Sequence, residues 1–113
     1  MITVYGIKNC DTVRKALKWL ESQGIEHTFH DFRKDGLDEK TVACWVDALG
    51  WESVLNKRSA TWKQLKDTDK SDIDALKAIA LMVANPTLVK RPVFEGKGLI
   101  LNGFNTDVQA RFS

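Results

Sequence analysis

Ile2–Leu20, ITVYGIKNCDTVRKALKWL, decides how this chain is read. Ile2, Val4 and Tyr5 form a short run of β-branched and aromatic residues, Gly6 ends it, and Val13, Leu17 and Leu20 then recur at helical spacing. The stretch predicts strand, turn, helix. Asn9 or Cys10 falls at the start of that helix, beside backbone N–H groups that have no intrahelical partner and at the positive end of the helix dipole. A sulfur so placed is favoured as thiolate, and Lys8, Arg14 and Lys15 add positive charge around it. Thiolate is the form in which cysteine attacks. Free cysteine is also a common core residue. Cys10 departs from that pattern because it lies in a polar turn, NCDT, with no apolar side chain within two positions. It reads as a reactive thiol.

Outward from this stretch, Gly24 is suited to a left-handed position at the helix end. Thr28, Phe29 and Phe32 are strand formers, which puts a second strand at His27 to Asp31. Two strands joined by one helix should be parallel with a right-handed crossover. Asp35-Gly36 marks a turn, and Asp38 is placed to cap a helix from Glu39 to Leu49 with Val42, Trp45, Val46 and Leu49 on one face. Cys44, with apolar sequence neighbours, is expected to be packed rather than reactive. Trp51 to Lys57 reads as a short helix or turn, and Ser59 or Thr61 as the cap of a brief helix through Leu65.

From Ser71, the apolar positions Ile73, Leu76, Ile79, Ala80 and Val83 predict a core helix that starts on acidic residues and stops before Pro86. A turn over Pro86 to Val89 leads to a β-hairpin, Val93-Phe94 and Leu99 to Leu101, across Gly96-Lys97-Gly98. Pro92 has no N–H for a sheet ladder and belongs at the start or edge of its strand. Asn105 or Thr106 can cap a last helix through Arg111. His27 and His30 sit three apart in a strand, on opposite faces, and make a poor metal pair.

Composition narrows the classes. With 113 residues, 43% hydrophobic and 28% charged, the chain reads as one globular domain with a single core. A net charge of +2 gives no broad electrostatic case for nucleic acid or membrane binding, although a local anion site remains open. Two cysteines, Cys10 and Cys44, are too few for a disulfide-built secreted scaffold, and no Cys/His cluster has zinc-ligand spacing. The amino terminus reads as a strand rather than a signal peptide, and no apolar run approaches the roughly 20 residues that span a bilayer. The expected setting is a reducing cytoplasm.

Three pieces, YGIKNCDTVRKAL around Cys10, NKRS at Arg58 and NPTLVKRPV at Arg91-Pro92, resemble in order and spacing the family that joins glutathione-dependent arsenate reductases with Spx-type proteins. The likeness covers nearly the whole chain and is strongest to the small YffB-type branch, considered glutathione-dependent thiol reductases. It implies a thioredoxin-like α/β fold, a mixed sheet with a helical insertion between the second and third strands, here about residues 37–89 of a single ArsC-like domain. It also implies a catalytic cysteine at the first helix's N-terminus, Cys10, and a cis bond before Pro92.

Arsenate reductases of this type hold an oxyanion beside the thiol with arginines, and Arg58 and Arg91 match two of them. Guanidinium groups bind oxyanions and carboxylates through paired, charge-assisted hydrogen bonds. The third arginine expected after the hairpin is missing, since Asn102-Gly103-Phe104 stands there. Asn9, Thr12 and Arg14 join the implied substrate-binding set. The departure favours a small anionic thiol such as glutathione over arsenate. The implied function is a glutathione-dependent thiol–disulfide oxidoreductase or arsenate reductase-like enzyme with no bound cofactor. In it, Cys10 forms a mixed disulfide. Because position 13 is valine and no Cys-x-x-Cys partner exists, glutathione, another small thiol or a glutaredoxin-like protein resolves that disulfide. The competing reading is an Spx-like regulator that binds RNA polymerase without turnover, although CDTV lacks the Cys-x-x-Cys switch common in that group.

Overall fold

The computed structural model describes residues 2–112. They divide into two compact units, one formed by residues 2–36 with 91–112 and the other by 37–90. The first unit holds strand β1 (Ile2–Gly6), helix α1 (Asp11–Ser22), strand β2 (His27–Asp31) and the single-turn helix α2 (Phe32–Asp35). In the second unit α3 (Glu39–Leu49), α4 (Trp51–Val54), α5 (Ala60–Gln64), α6 (Asp67–Lys70) and α7 (Ala75–Ala84) are followed by a 3-10 turn at Pro86–Leu88. The chain then returns to the first unit as β3 (Val93–Gly96), β4 (Leu99–Asn102) and α8 (Thr106–Phe112).

The sheet order is β2-β1-β3-β4, with β1 and β2 parallel and the other pairs antiparallel. This is the mixed sheet of a thioredoxin-like fold, and the helical segment enters between the second and third strands. Alternation along β1 sends Ile2 and Val4 to one face, where with Phe94 they pack on Ala16 and Leu20 of α1 and on Val108 and Phe112 of α8. Each Ile, Val, Leu or Phe side chain among them, fully buried, contributes about 1.5–3 kcal/mol of transfer free energy. Phe94 and Phe112 meet edge to face with ring centroids 5.4 Å apart.

The chain reverses between β3 and β4 over two residues, Lys97 and Gly98, at φ of 52° and 74°, the left-handed pair that a type I′ hairpin turn demands. At the other reversal, Gly24 adopts φ 66° and its N–H bonds the Glu21 carbonyl to close α1. Asn105 caps α8 by accepting from the Val108 N–H at 3.0 Å.

Within the second unit α3 packs on α7, burying Val42, Trp45 and Val46 from one and Ala78, Ile79 and Met82 from the other. Asp38, Ser59 and Asp74 cap α3, α5 and α7, each side chain accepting from a backbone N–H three residues on. A single bridge, Leu55 to Val89, ties the segment's later turns together.

Several expectations are corrected. The core helix starts at Ala75 rather than Ser71, because Asp74 takes the capping position and bonds the Lys77 N–H at 2.9 Å. Leu76, expected in the core, is 77% exposed, and Ala80 is also exposed. Cys44, expected to be packed, is exposed on α3. The second strand ends at Asp31, as expected, and Phe32 follows it. It begins α2, where the Asp31 carboxylate accepts from Arg33 N–H, and it is buried there. The short helices α2 and α6 were not among the expected elements.

Candidate active site

β1 ends at Gly6 because the backbone must pass against α1. A Cβ on Gly6 would lie 2.6 Å from Val13 Cγ2, closer than carbon atoms approach. The chain then turns over Ile7, Lys8 and Asn9, with the Cys10 N–H bonding the Ile7 carbonyl at 3.0 Å. Ile7 is buried and anchors the turn, while Lys8 and Asn9 are exposed.

Cys10 is the N-cap residue of α1. Its backbone is extended, at φ −85° and ψ 122°, and its carbonyl accepts the first helical bond from the Arg14 N–H. Its side chain makes no capping hydrogen bond and is half-buried. The sulfur therefore stands at the helix start without being committed to the first-turn N–H groups that a serine or aspartate there would satisfy.

Asn9, Thr12 and Arg14 surround it in sequence. Thr12 is exposed on the first turn. Arg14 Nη2 donates to the Asn9 carbonyl at 3.2 Å and pairs with Asp11 Oδ1 at 3.2 Å. Both contacts use Nη2 alone, which leaves the other guanidinium donors available. Sequence reasoning missed Asp11, although its i, i+3 spacing to Arg14 is the signal for such a pair.

The Arg91–Pro92 bond is cis, and Pro92 is buried directly before β3. Antiparallel pairing sets Tyr5 opposite Val93, so the next step along each strand brings Gly6 level with Pro92. The proline loop and the Cys10 turn thus leave the same end of adjacent central strands. Arg91, half-buried, stands at this end as well. Pro92 is held through its carbonyl, which accepts from the Gly103 N–H at 2.9 Å. Gly103, within Asn102-Gly103-Phe104, thereby serves as backbone support. Arg58 belongs to the other unit, exposed on the loop before α5, with its N–H bonded to Asn56 Oδ1.

His27 Nδ1 donates to the Ile25 carbonyl and His30 Nε2 to the Gly36 carbonyl, and no metal-binding cluster of His, Cys, Asp or Glu occurs among the described residues. No helix among those residues is long and apolar enough to cross a membrane.

A groove of about 520 Å³ opens beside the cysteine turn, on the side of α1 facing β2. Lys8, Asn9 and Arg14 edge it, and Leu17 and Phe29 give it an apolar wall. No local sequence signal marks it, because its residues come from separate elements.

A sequence model of the ArsC family matches residues 5–112. The chain belongs to the ArsC family. It is 49% identical, over the full length of both chains, to an uncharacterized protein of Haemophilus influenzae. The global transcriptional regulator Spx of Listeria innocua is 27% identical, with 99% of this chain and 86% of that one aligned. Among solved structures, a YffB protein superposes with a TM-score of 0.94 at 40% identity, covering 98% of this ArsC-family chain and 97% of its own. An arsenate reductase-related protein from Brucella melitensis superposes at 0.78 with 45% identity, covering 98% and 93%. The resemblance carried by the Cys10 turn, NKRS and NPTLVKRPV is thereby borne out, as is the fold it implied.

Proposed function

We propose that this chain is a thiol–disulfide oxidoreductase with Cys10 as nucleophile and glutathione as reducing co-substrate. The observation that carries the reading is the free sulfur at the N-cap of α1, on the end of the sheet where the cis-proline loop also emerges. Membership of the ArsC family and likeness to an arsenate reductase-related protein support the same class of chemistry.

In this mechanism the Cys10 thiolate attacks one sulfur of a disulfide, forming a mixed disulfide and expelling the other sulfur as thiolate. The Cys10 turn places the reacting sulfurs beside the backbone N–H groups of the helix start during each exchange. A glutathione thiolate then attacks Cys10 Sγ and releases the substrate's thiol. A second glutathione frees Cys10 and leaves as oxidised glutathione, so two thiols are oxidised for each disulfide reduced. Another small thiol or a glutaredoxin-like protein serves equally as the resolving thiol in chemical terms.

Arg91 is assigned to a carboxylate of glutathione, with Asn9, Thr12 and Arg14 shaping the turn around the reacting sulfur. The family resemblance gives Arg58 a substrate-binding role, tested by loss of glutathione affinity in Arg58→Ala. Arsenate is the weaker substrate reading, because the position of a third arginine is occupied by Asn102-Gly103-Phe104. The proposed enzyme works without a bound cofactor, nucleic acid or membrane, in a reducing cytoplasm.

The test is glutathione-dependent reduction of bis(2-hydroxyethyl) disulfide. Cys10→Ser abolishes it and Cys44→Ser keeps it; equal rates in the parent and Cys10→Ser reject the reading. The likeness to Spx supports a second reading, a regulator that binds RNA polymerase without turnover. Saturable binding to the carboxy-terminal domain of the polymerase α subunit, with no thiol turnover, would favour it.

A further inference from the structure

The loop over residues 55–59, between α4 and α5, carries Arg58 and is held more firmly than its exposure suggests. Its entry is tied to the strand-like segment after α7. Leu55 bridges to Val89, the Asn56 N–H bonds the Leu88 carbonyl at 2.7 Å, and the Lys90 N–H bonds the Val54 carbonyl at 2.8 Å. The Asn56 side chain then turns back to accept from the Arg58 N–H at 3.0 Å, and Ser59 caps α5 by accepting from the Trp62 N–H at 3.2 Å. These bonds set the main chain on both sides of Arg58.

A side-chain anchor is added at Lys57. This residue lies in sequence between Trp51, at the start of α4, and Trp62, within α5. Its ammonium group stands 5.3 Å from the centre of the Trp51 ring and 5.8 Å from that of Trp62. Both distances fall inside the roughly 6 Å over which an indole face attracts a cation. The rings are half-buried, whereas Lys57 and Arg58 are exposed, so the rings form a fixed seat and the lysine is the part that would otherwise move. Lys70 lies over Trp62 as well, at 5.7 Å, and the Thr61 and Thr87 hydroxyls meet at 2.6 Å, which joins α5 to the turn at Pro86–Leu88. With Lys57 tethered at its tip and the backbone bonded at Asn56 and Ser59, Arg58 has little freedom left in its main chain. A guanidinium presented from such a loop gives up less entropy when an anion binds it.

We infer that Lys57 is a positioning residue: by spanning Trp51 and Trp62 it fixes the loop that presents Arg58 to an anionic co-substrate. The inference rests on the substrate-binding role of Arg58 in the proposed function and adds how that role is supported. Lys57 touches no reacting atom, and its effect falls on affinity rather than on the exchange of sulfurs.

The test compares glutathione kinetics with bis(2-hydroxyethyl) disulfide in variants of this loop. Lys57→Met keeps the unbranched stem and removes the ammonium group. It raises KM for glutathione about fivefold, the factor expected from losing a pair of exposed cation–π contacts, and leaves kcat unchanged. Lys57→Arg restores the parental KM, because a guanidinium also stacks on indole. Trp62→Leu keeps the lysine charge, removes one ring and raises KM in the same direction. A parental KM there would mean that Lys57 meets glutathione directly as a charge, which overturns the inference. In an Arg58→Ala background Lys57→Met has no further effect, and additive losses there overturn the inference as well. Hydrogen exchange at the Arg58 amide reads the loop without turnover: it quickens in Lys57→Met and returns to the parental rate in Lys57→Arg. Unchanged exchange in Lys57→Met, with a raised KM in Arg58→Ala, rejects the role of Lys57 and keeps that of Arg58. Quickened exchange with a parental KM in Arg58→Ala keeps the anchor and removes Arg58 from the substrate site. Absence of all turnover sinks the reductase reading, and the exchange rates still decide whether Lys57 holds the loop.

Discussion

Gly6 and Val13 are packed so closely that a single added carbon on the glycine would fall 2.6 Å from one valine methyl and 3.2 Å from the other. Val13 is fully buried and has no room to retreat. The contact fixes the angle at which α1 leaves β1, and Cys10 lies between the two.

Gly6→Ala should therefore act on both stability and chemistry. Overpacking of this kind costs about 1–3 kcal/mol. Because the strain is relieved by moving the start of α1, the rate of Cys10 alkylation by iodoacetamide should change as well. In a double-mutant cycle, Val13→Ala should recover part of the loss, with a coupling term of about 0.5–3 kcal/mol. Strict additivity in thermal unfolding would show that the contact does not set the turn.

Cys10→Ser is expected to separate stability from activity. The N-cap residue already has extended backbone and no side-chain bond to the first turn. A serine hydroxyl can accept from one of the first-turn N–H groups, and good caps improve stability by about 0.5–2 kcal/mol over poor ones. The variant should melt above the parent, with disulfide reduction reduced to background. A lower melting temperature would mean that the sulfur carries packing the geometry does not reveal.

Arg91 precedes the cis proline at the end of the sheet from which the thiol turn leaves. Arg91→Ala should lower kcat/KM for glutathione by about tenfold or more, since a charge-assisted hydrogen bond is worth about 1.5–3 kcal/mol. Arg91→Lys should recover only part, because an ammonium does not reproduce the paired donors of guanidinium. Cys10 alkylation, which needs no glutathione, should be unchanged in both. Parental glutathione kinetics in Arg91→Ala would remove the residue from the site.

Much of this architecture is legible in local chemistry. The β1–turn–α1 pattern, the strand His27–Asp31, the Asp38 cap and the hairpin across Lys97 and Gly98 each rest on signals within a few residues, and each stands in the fold. Burial was harder to read where apolar residues crowd. In ALKAIALMVA nearly every position is hydrophobic, so the sequence period does not say that Ala78, Ile79 and Met82 are buried while Leu76 is exposed. Cys44 misleads for a related reason. On a helix it points about 100° away from buried Trp45 and to the side opposite buried Val42, so apolar neighbours in sequence are not neighbours in space. The groove lay beyond such reading, because Leu17, Phe29 and Asp35 come together only once α1, β2 and α2 are assembled.

The hairpin offers a prediction that depends on backbone alone. Lys97 holds φ at 52°, a left-handed conformation in which a residue with a long side chain is disfavoured and asparagine is tolerated. Gly98 follows it at 74°, so Lys97→Asn creates the Asn-Gly pair that type I′ turns prefer. Lys97 is exposed, and its replacement empties no packed site. A gain of about 0.5–1 kcal/mol is expected, the range found when a residue is matched to its native backbone conformation. Thiol turnover should stay parental, since the turn lies at the opposite end of β3 from Pro92. Chemical denaturation should show a higher midpoint with an unchanged slope, and a lower midpoint would mean that Lys97 makes a contact that outweighs its backbone.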